Sequence, residues 1–100
     1  MKLAVFVNEY GRSELTLERL KAEKLGVILV GNGIYHAVIK ENGQTSSVLA
    51  KEEAVYCVLQ EDLETRGFSA GDLVDSKVAV VNYDQLADIV MNDFEKLAWL

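Results

Sequence analysis

Cys57 is the single cysteine of this 100-residue chain and His36 its single histidine. Thiol chemistry performed by the chain alone therefore runs through Cys57, and imidazole acid–base chemistry through His36. Cys57 stands in the apolar run Val55-Tyr56-Cys57-Val58-Leu59, which reads first as a small residue buried in a strand. It also lies near the carboxyl end of that strand, just before a helix N-terminus. Open α/β sheets place ligands there, and oriented amides stabilise a thiolate. That position keeps sulfur acceptance by Cys57 as the minor alternative. Glu61 and Asp62 oppose a lowered thiol pKa, and with no second cysteine a thioredoxin-like dithiol cycle is excluded.

The other polar candidates are weaker. No cysteine or carboxylate stands at ligand spacing from His36, so a metal site is not expected, and the residue reads as a half-buried helix position. Gly31-Asn32-Gly33 follows an apolar strand but lacks the continuation of a P-loop or a dinucleotide fingerprint. It reads as a turn in which Asn32 caps the next helix. Asn8 and Glu9 end the first strand where a response-regulator-like domain carries acids, yet no phosphoacceptor aspartate ends the third. A crevice near Asn32, His36 and Gln60 would suit a small molecule, on the analogy of α/β folds in general.

The elements that must position these residues follow from hydrophobic pattern and turn chemistry. Residues 3–7 and 27–30 are continuously apolar, as strands covered on both faces are, and are expected to pair in parallel. Between them a helix is expected over about 14–24, capped by Ser13 and stopped by Gly26. A short helix should follow Gly33 and hold Tyr35 and His36. Residues 54–59 form the third strand. A helix then starts at Gln60 or Glu61, with acids in its first turn, Arg66 in its last and Gly67 as left-handed cap. Residues 77–81 form the fourth strand, and Asn82 with Gln85 makes a reciprocal cap for a final helix. Tyr83, Leu86, Ala87, Val90, Met91 and Phe94 share one face of that helix. Residues 96–100 are expected to add an edge strand, with Trp99 as a core plug or an anchor at a subunit contact. Strands alternating with helices imply a three-layer α/β/α fold with a mostly parallel sheet of about five strands.

Composition bounds the rest. One hundred residues, half of them apolar and none of them proline, make one domain over 1–100 with no linker. The net charge of −6 is concentrated in the second half, where eleven acids face four bases. That half should repel phosphate. The small basic cluster Arg19, Lys21 and Lys24 is interleaved with Glu18 and Glu23, so direct nucleic-acid binding is not expected. The apolar start stops at Asn8 and Glu9 without a cleavage site, and the run from Leu25 to Ile39 is too short and glycine-broken to span a bilayer. A cytoplasmic setting fits the lone thiol.

Three segments together resemble the DsrH/TusB family of small sulfur-relay proteins: Val27-Ile28-Leu29-Val30-Gly31-Asn32-Gly33-Ile34-Tyr35, the stretch from Leu59 through Glu61-Asp62-Leu63 to Arg66-Gly67-Phe68-Ser69, and the ending Ala98-Trp99-Leu100. Val80-Val81-Asn82-Tyr83 adds to the match. The resemblance implies a DsrE-like fold and an accessory or scaffolding subunit, without catalytic activity or cofactor of its own. It would work in a cytoplasmic complex with DsrE- and DsrF-like (TusD- and TusC-like) partners, or in self-association. Such complexes pass persulfide sulfur toward 2-thiolation of the tRNA wobble uridine or within sulfur oxidation. Some members carry a cysteine in the first helix, and the corresponding region near Arg19 and Leu20 has none. Asn32, Gly33, Tyr35, His36, Asp62 and Trp99 are the candidate crevice or subunit-contact residues. The alternatives are a direct persulfide carrier through Cys57 and a homo-oligomeric small-molecule binding module.

Overall fold

The computed structural model describes residues 2–10, 23–40, 42–50 and 53–99. Within them five strands form one wholly parallel sheet: β1 (Lys2–Val7), β2 (Lys24–Leu29), β3 (Val55–Leu59), β4 (Val78–Val81) and β5 (Lys96–Trp99). Their order is β4-β3-β2-β1-β5, so β4 and β5 are the edges. The expected five-stranded α/β architecture is present, including the edge strand at the end of the chain.

The side-chain period of a strand sorts the apolar runs onto two faces. Leu3, Val5, Val7, Leu25, Val27, Leu29, Tyr56, Val58 and Val78 form one core with Ile34, Ala37, Val48, Leu49 and Leu63 from the segments crossing that face. Those segments include a 3-10 turn (Gly31–Ile34), helix α1 (Tyr35–Val38) and helix α2 (Gln60–Thr65). Each fully buried aliphatic side chain there contributes about 1.5–3 kcal/mol. The Tyr56 hydroxyl, buried in the same core, donates to the Val48 carbonyl at 2.8 Å. The opposite face buries Ala4, Phe6, Ile28, Cys57, Leu59 and Val81 against Leu86 of helix α3 (Tyr83–Asp93), with Ile89, Val90 and Phe94 packed alongside.

Several sequence expectations change. The helix over 14–24 and its Ser13 cap lie outside the described residues, except that Lys24 begins β2. Gly26 does not stop a helix. It pairs with Ala4 and Val55 inside the sheet, and a Cβ there would run into the Phe94 ring. Of the expected face of α3, Leu86, Val90 and the adjoining Phe94 pack inward together with Ile89, while Tyr83, Ala87 and Met91 are exposed, Met91 by 81%. The reciprocal cap that starts α3 is as expected, with Asn82 Oδ1 accepting from Gln85 N and Gln85 Oε1 accepting from Asn82 N, both at 2.9 Å.

Candidate functional site

The carboxyl ends of β2 and β3 converge on a polar junction built from the Gly31–Ile34 turn and α2. Val30 N–H donates to the Val7 carbonyl at 3.0 Å, which leads the chain out of β2 across the end of β1. Gly31 then takes φ +52°, in the left-handed region that favours glycine. Its N–H donates to Asp62 Oδ2 at 2.6 Å, a short charge-assisted bond. Arg66, one turn along α2 from Asp62, places Nε and Nη2 on Asn32 Oδ1, each at 3.2 Å, and Nη1 on the Asp62 carbonyl at 3.2 Å. The Asp62 and Arg66 charges stand 4.0 Å apart and are partly exposed, which makes their ion pair a minor contributor. Asn32 therefore does not cap the following helix. Its side-chain oxygen is held by Arg66, and neither the 3-10 turn nor α1 has a side-chain cap.

Gly33 stands at the same junction because nothing larger fits: a Cβ would collide with the Val7 carbonyl. Tyr35 meets the rings of Phe68 and Tyr10 edge-on, at centroid distances of 6.0 and 6.2 Å. His36 is buried rather than half-buried. Its Nε2 lies 3.2 Å from the Glu9 carbonyl, which can only accept, so Nε2 carries a proton. Its Nδ1 lies 2.7 Å from Ser46 Oγ and, in the neutral ring, accepts from that hydroxyl, while the same Oγ accepts from Val48 N. The ring thus ties the end of β1 to the 42–50 loop. Asn32, Asp62 and Arg66 are brought into one network, while His36 belongs to a separate, inward-facing one.

Trp99 lies apart from both, on edge strand β5. It pairs with Phe6 across the sheet and stacks on that ring at 4.6 Å, yet 64% of it is exposed. Leu97, two residues earlier and on the same face, is 53% exposed. Among the described residues no strand pairs the second edge of β5, which adds a backbone row to this apolar pair. Aromatic and aliphatic side chains left on an open sheet edge mark a surface suited to protein contact.

Cys57 occupies the interior of β3 between its pairing partners Ile28 and Ala79. It is 4% exposed, and desolvation by burial pushes its thiol pKa up from the ordinary 9.0. The strand end that would have activated it is occupied instead by Leu59 and the start of α2. There Glu61 Oε2 accepts from Tyr83 N at 3.3 Å, and Oε1 is buried with no hydrogen-bond partner among the described residues. Among the described residues no group of histidine, cysteine and carboxylate side chains could hold a metal ion.

A family model described as DsrH like protein matches residues 9–95. The chain belongs to the DsrH-like family. None of the curated proteins compared with it matches. Among solved structures, this DsrH-like chain is similar to the protein of unknown function MTH1491 from Methanobacterium thermoautotrophicum. That match has TM-score 0.69 and 16% identity, over 97% of each chain. It is also similar to the solution structure of Tm0979 from Thermotoga maritima, with TM-score 0.60 and 22% identity over 90% of this chain and 93% of that one. At these identities the likeness establishes the shared fold. No helix among the described residues is long and apolar enough to cross a membrane.

The residues that sequence reasoning missed are the structural partners: Ser46 and the Glu9 carbonyl for His36, and Phe6 for Trp99. Each is fixed by tertiary contact over ten or more residues of separation, for which local spacing carries no signal. Only the burial of Phe6 in an apolar strand was readable in advance.

Proposed function

We propose that this DsrH-like chain is a partner-binding, accessory subunit of a cytoplasmic sulfur-relay complex and is not itself the sulfur carrier. The observation that carries this reading is the pair Trp99 and Leu97, exposed on the open edge of the sheet. Burying such an aromatic anchor with its aliphatic neighbour is the usual core of a protein contact. The state of Cys57 supports the second half of the reading. A persulfide carrier must expose a nucleophilic thiolate, whereas this thiol is buried and its ionisation disfavoured.

The proposed partners are DsrE- and DsrF-like proteins, with sulfur passing onward to tRNA wobble-uridine 2-thiolation or within sulfur oxidation. Mixing the chain with the DsrE- and DsrF-like proteins of its own source, followed by size-exclusion chromatography, tests the reading. Co-elution is expected, and a chain that elutes alone at micromolar concentration contradicts it.

A further inference from the structure

Beyond the carboxyl end of β4, on the side of the sheet away from β5, α2 and the start of α3 enclose a cleft of about 460 Å³. Leu63, Ala70 and Val80 give it apolar surface, and its polar lining is Gln60 and Glu64 from α2, Asn82 and Gln85 from the start of α3, and Ser69. The hydrogen bonds within each wall decide what that wall can still offer. In the reciprocal cap of α3, Asn82 and Gln85 each use the side-chain oxygen to accept a backbone N–H. Both amide NH2 groups are thereby left as donors, with no partner among the described residues. Across the cleft one N–H of the Gln60 amide donates to Glu64 Oε1 at 2.7 Å, and its second N–H stays available. That leaves the Gln60 oxygen and the Glu64 carboxylate as acceptors. The Asn82 and Gln85 wall offers two unengaged NH2 groups, the facing wall adds a carboxylate and an amide oxygen, and Leu63, Ala70 and Val80 supply apolar surface. The site lies past the strand ends, where α/β sheets bind ligands, and its volume suits a small molecule.

We infer that this cleft binds a small, uncharged, planar amide or cyclic urea. Its carbonyl faces Asn82 and Gln85, its N–H faces Gln60 and Glu64, and its ring lies on Leu63 and Val80. Glu64 disfavours an anionic ligand. The inference does not depend on assembly with sulfur-relay partners.

The test is 1H–15N NMR of the intact chain titrated with 2-pyridone, uracil and hydantoin, using benzoate as an anionic ligand of similar size. Shifts of the Asn82 and Gln85 side-chain NH2 resonances are expected with at least one neutral probe and not with benzoate. The variant Asn82→Asp/Gln85→Glu keeps both capping acceptors, and so the start of α3, but removes both donors. Binding should weaken about tenfold or more, the order expected when a ligand carbonyl loses its charge-neutral donors. No shift with any neutral probe at millimolar concentration, equal shifts with benzoate, or unchanged binding by the folded double variant would each overturn the inference.

Discussion

Replacing Gly33 by alanine tests whether the Gly31–Ile34 turn is held against the end of β1 as described. Gly33 is buried, and an added Cβ would meet the Val7 carbonyl, a backbone group that cannot swing aside as a side chain would. Overpacking of this kind costs about 1–3 kcal/mol. The same carbonyl accepts the Val30 N–H at 3.0 Å, so displacing it weakens a bond whose loss costs a further 1–3 kcal/mol or so. Against this, alanine restricts the unfolded chain and returns about 0.4–1 kcal/mol. The net expectation is a loss of about 1–5.5 kcal/mol, centred near 3, a large share of the roughly 5–15 kcal/mol that holds a domain together. Gly43→Ala is the control. It takes φ +80° but has open space around it, so its cost is backbone strain of about 1–2 kcal/mol less the same unfolded-state return. Urea unfolding at constant m-value reads both variants. A Gly33→Ala protein at least as stable as Gly43→Ala would refute the close approach and the junction built on it.

Two further predictions concern the polar junction and the thiol. Asp62→Ala strips the Gly31 N–H of its acceptor and should cost about 1–3 kcal/mol in urea unfolding, with Asp62→Asn costing less; a change below about 0.5 kcal/mol for the alanine variant would contradict the network. The raised pKa of Cys57 means that its contribution to stability is fully present below the ordinary value of 9.0 and is lost as pH climbs toward the folded-state value. The stability of the wild type relative to Cys57→Val should therefore be flat from pH 6 to about 8.5 and fall above about 9, and a difference independent of pH up to 10.5 would show that the thiol ionises equally in both states.

The sequence carried the architecture because its strands are mostly apolar runs, four of the five containing β-branched residues, and two of its helix boundaries are chemically explicit. The Asn82–Gln85 cap and the left-handed Gly67 stand where side-chain chemistry alone put them. Gly26 was misread because a glycine after a polar stretch looks the same whether it ends a helix or makes room in a sheet, and only the approach of Phe94 distinguishes the two. Asn32 was assigned to a cap by its place after a strand, but Arg66, thirty-four residues away, holds its oxygen. Half of the expected face of α3, Leu86, Val90 and Phe94, packs inward, while Tyr83, Ala87 and Met91 turn out because apolar residues lie on two adjacent stripes and contact with Ile28, Cys57 and Val81 selects between them. Of the candidate residues, Asn32 and Asp62 are linked through Arg66, Gly33 and Tyr35 frame that junction, and His36 turns inward to Ser46. Trp99 lies on an edge strand whose outward side only the strand order reveals.

Trp99 is the single tryptophan of the chain, which makes its emission a specific reporter of the proposed contact surface. With 64% of the residue exposed in the free chain, its emission should lie toward the red limit. Titration with tryptophan-free variants of the DsrE- and DsrF-like proteins from the same source should move it to the blue as Trp99 is buried, and Trp99→Ala should weaken the complex by about 2 kcal/mol or more. A complex that forms with the emission unchanged would remove Trp99 from the interface, and no complex at all would contradict the assignment of this chain as a partner-binding subunit.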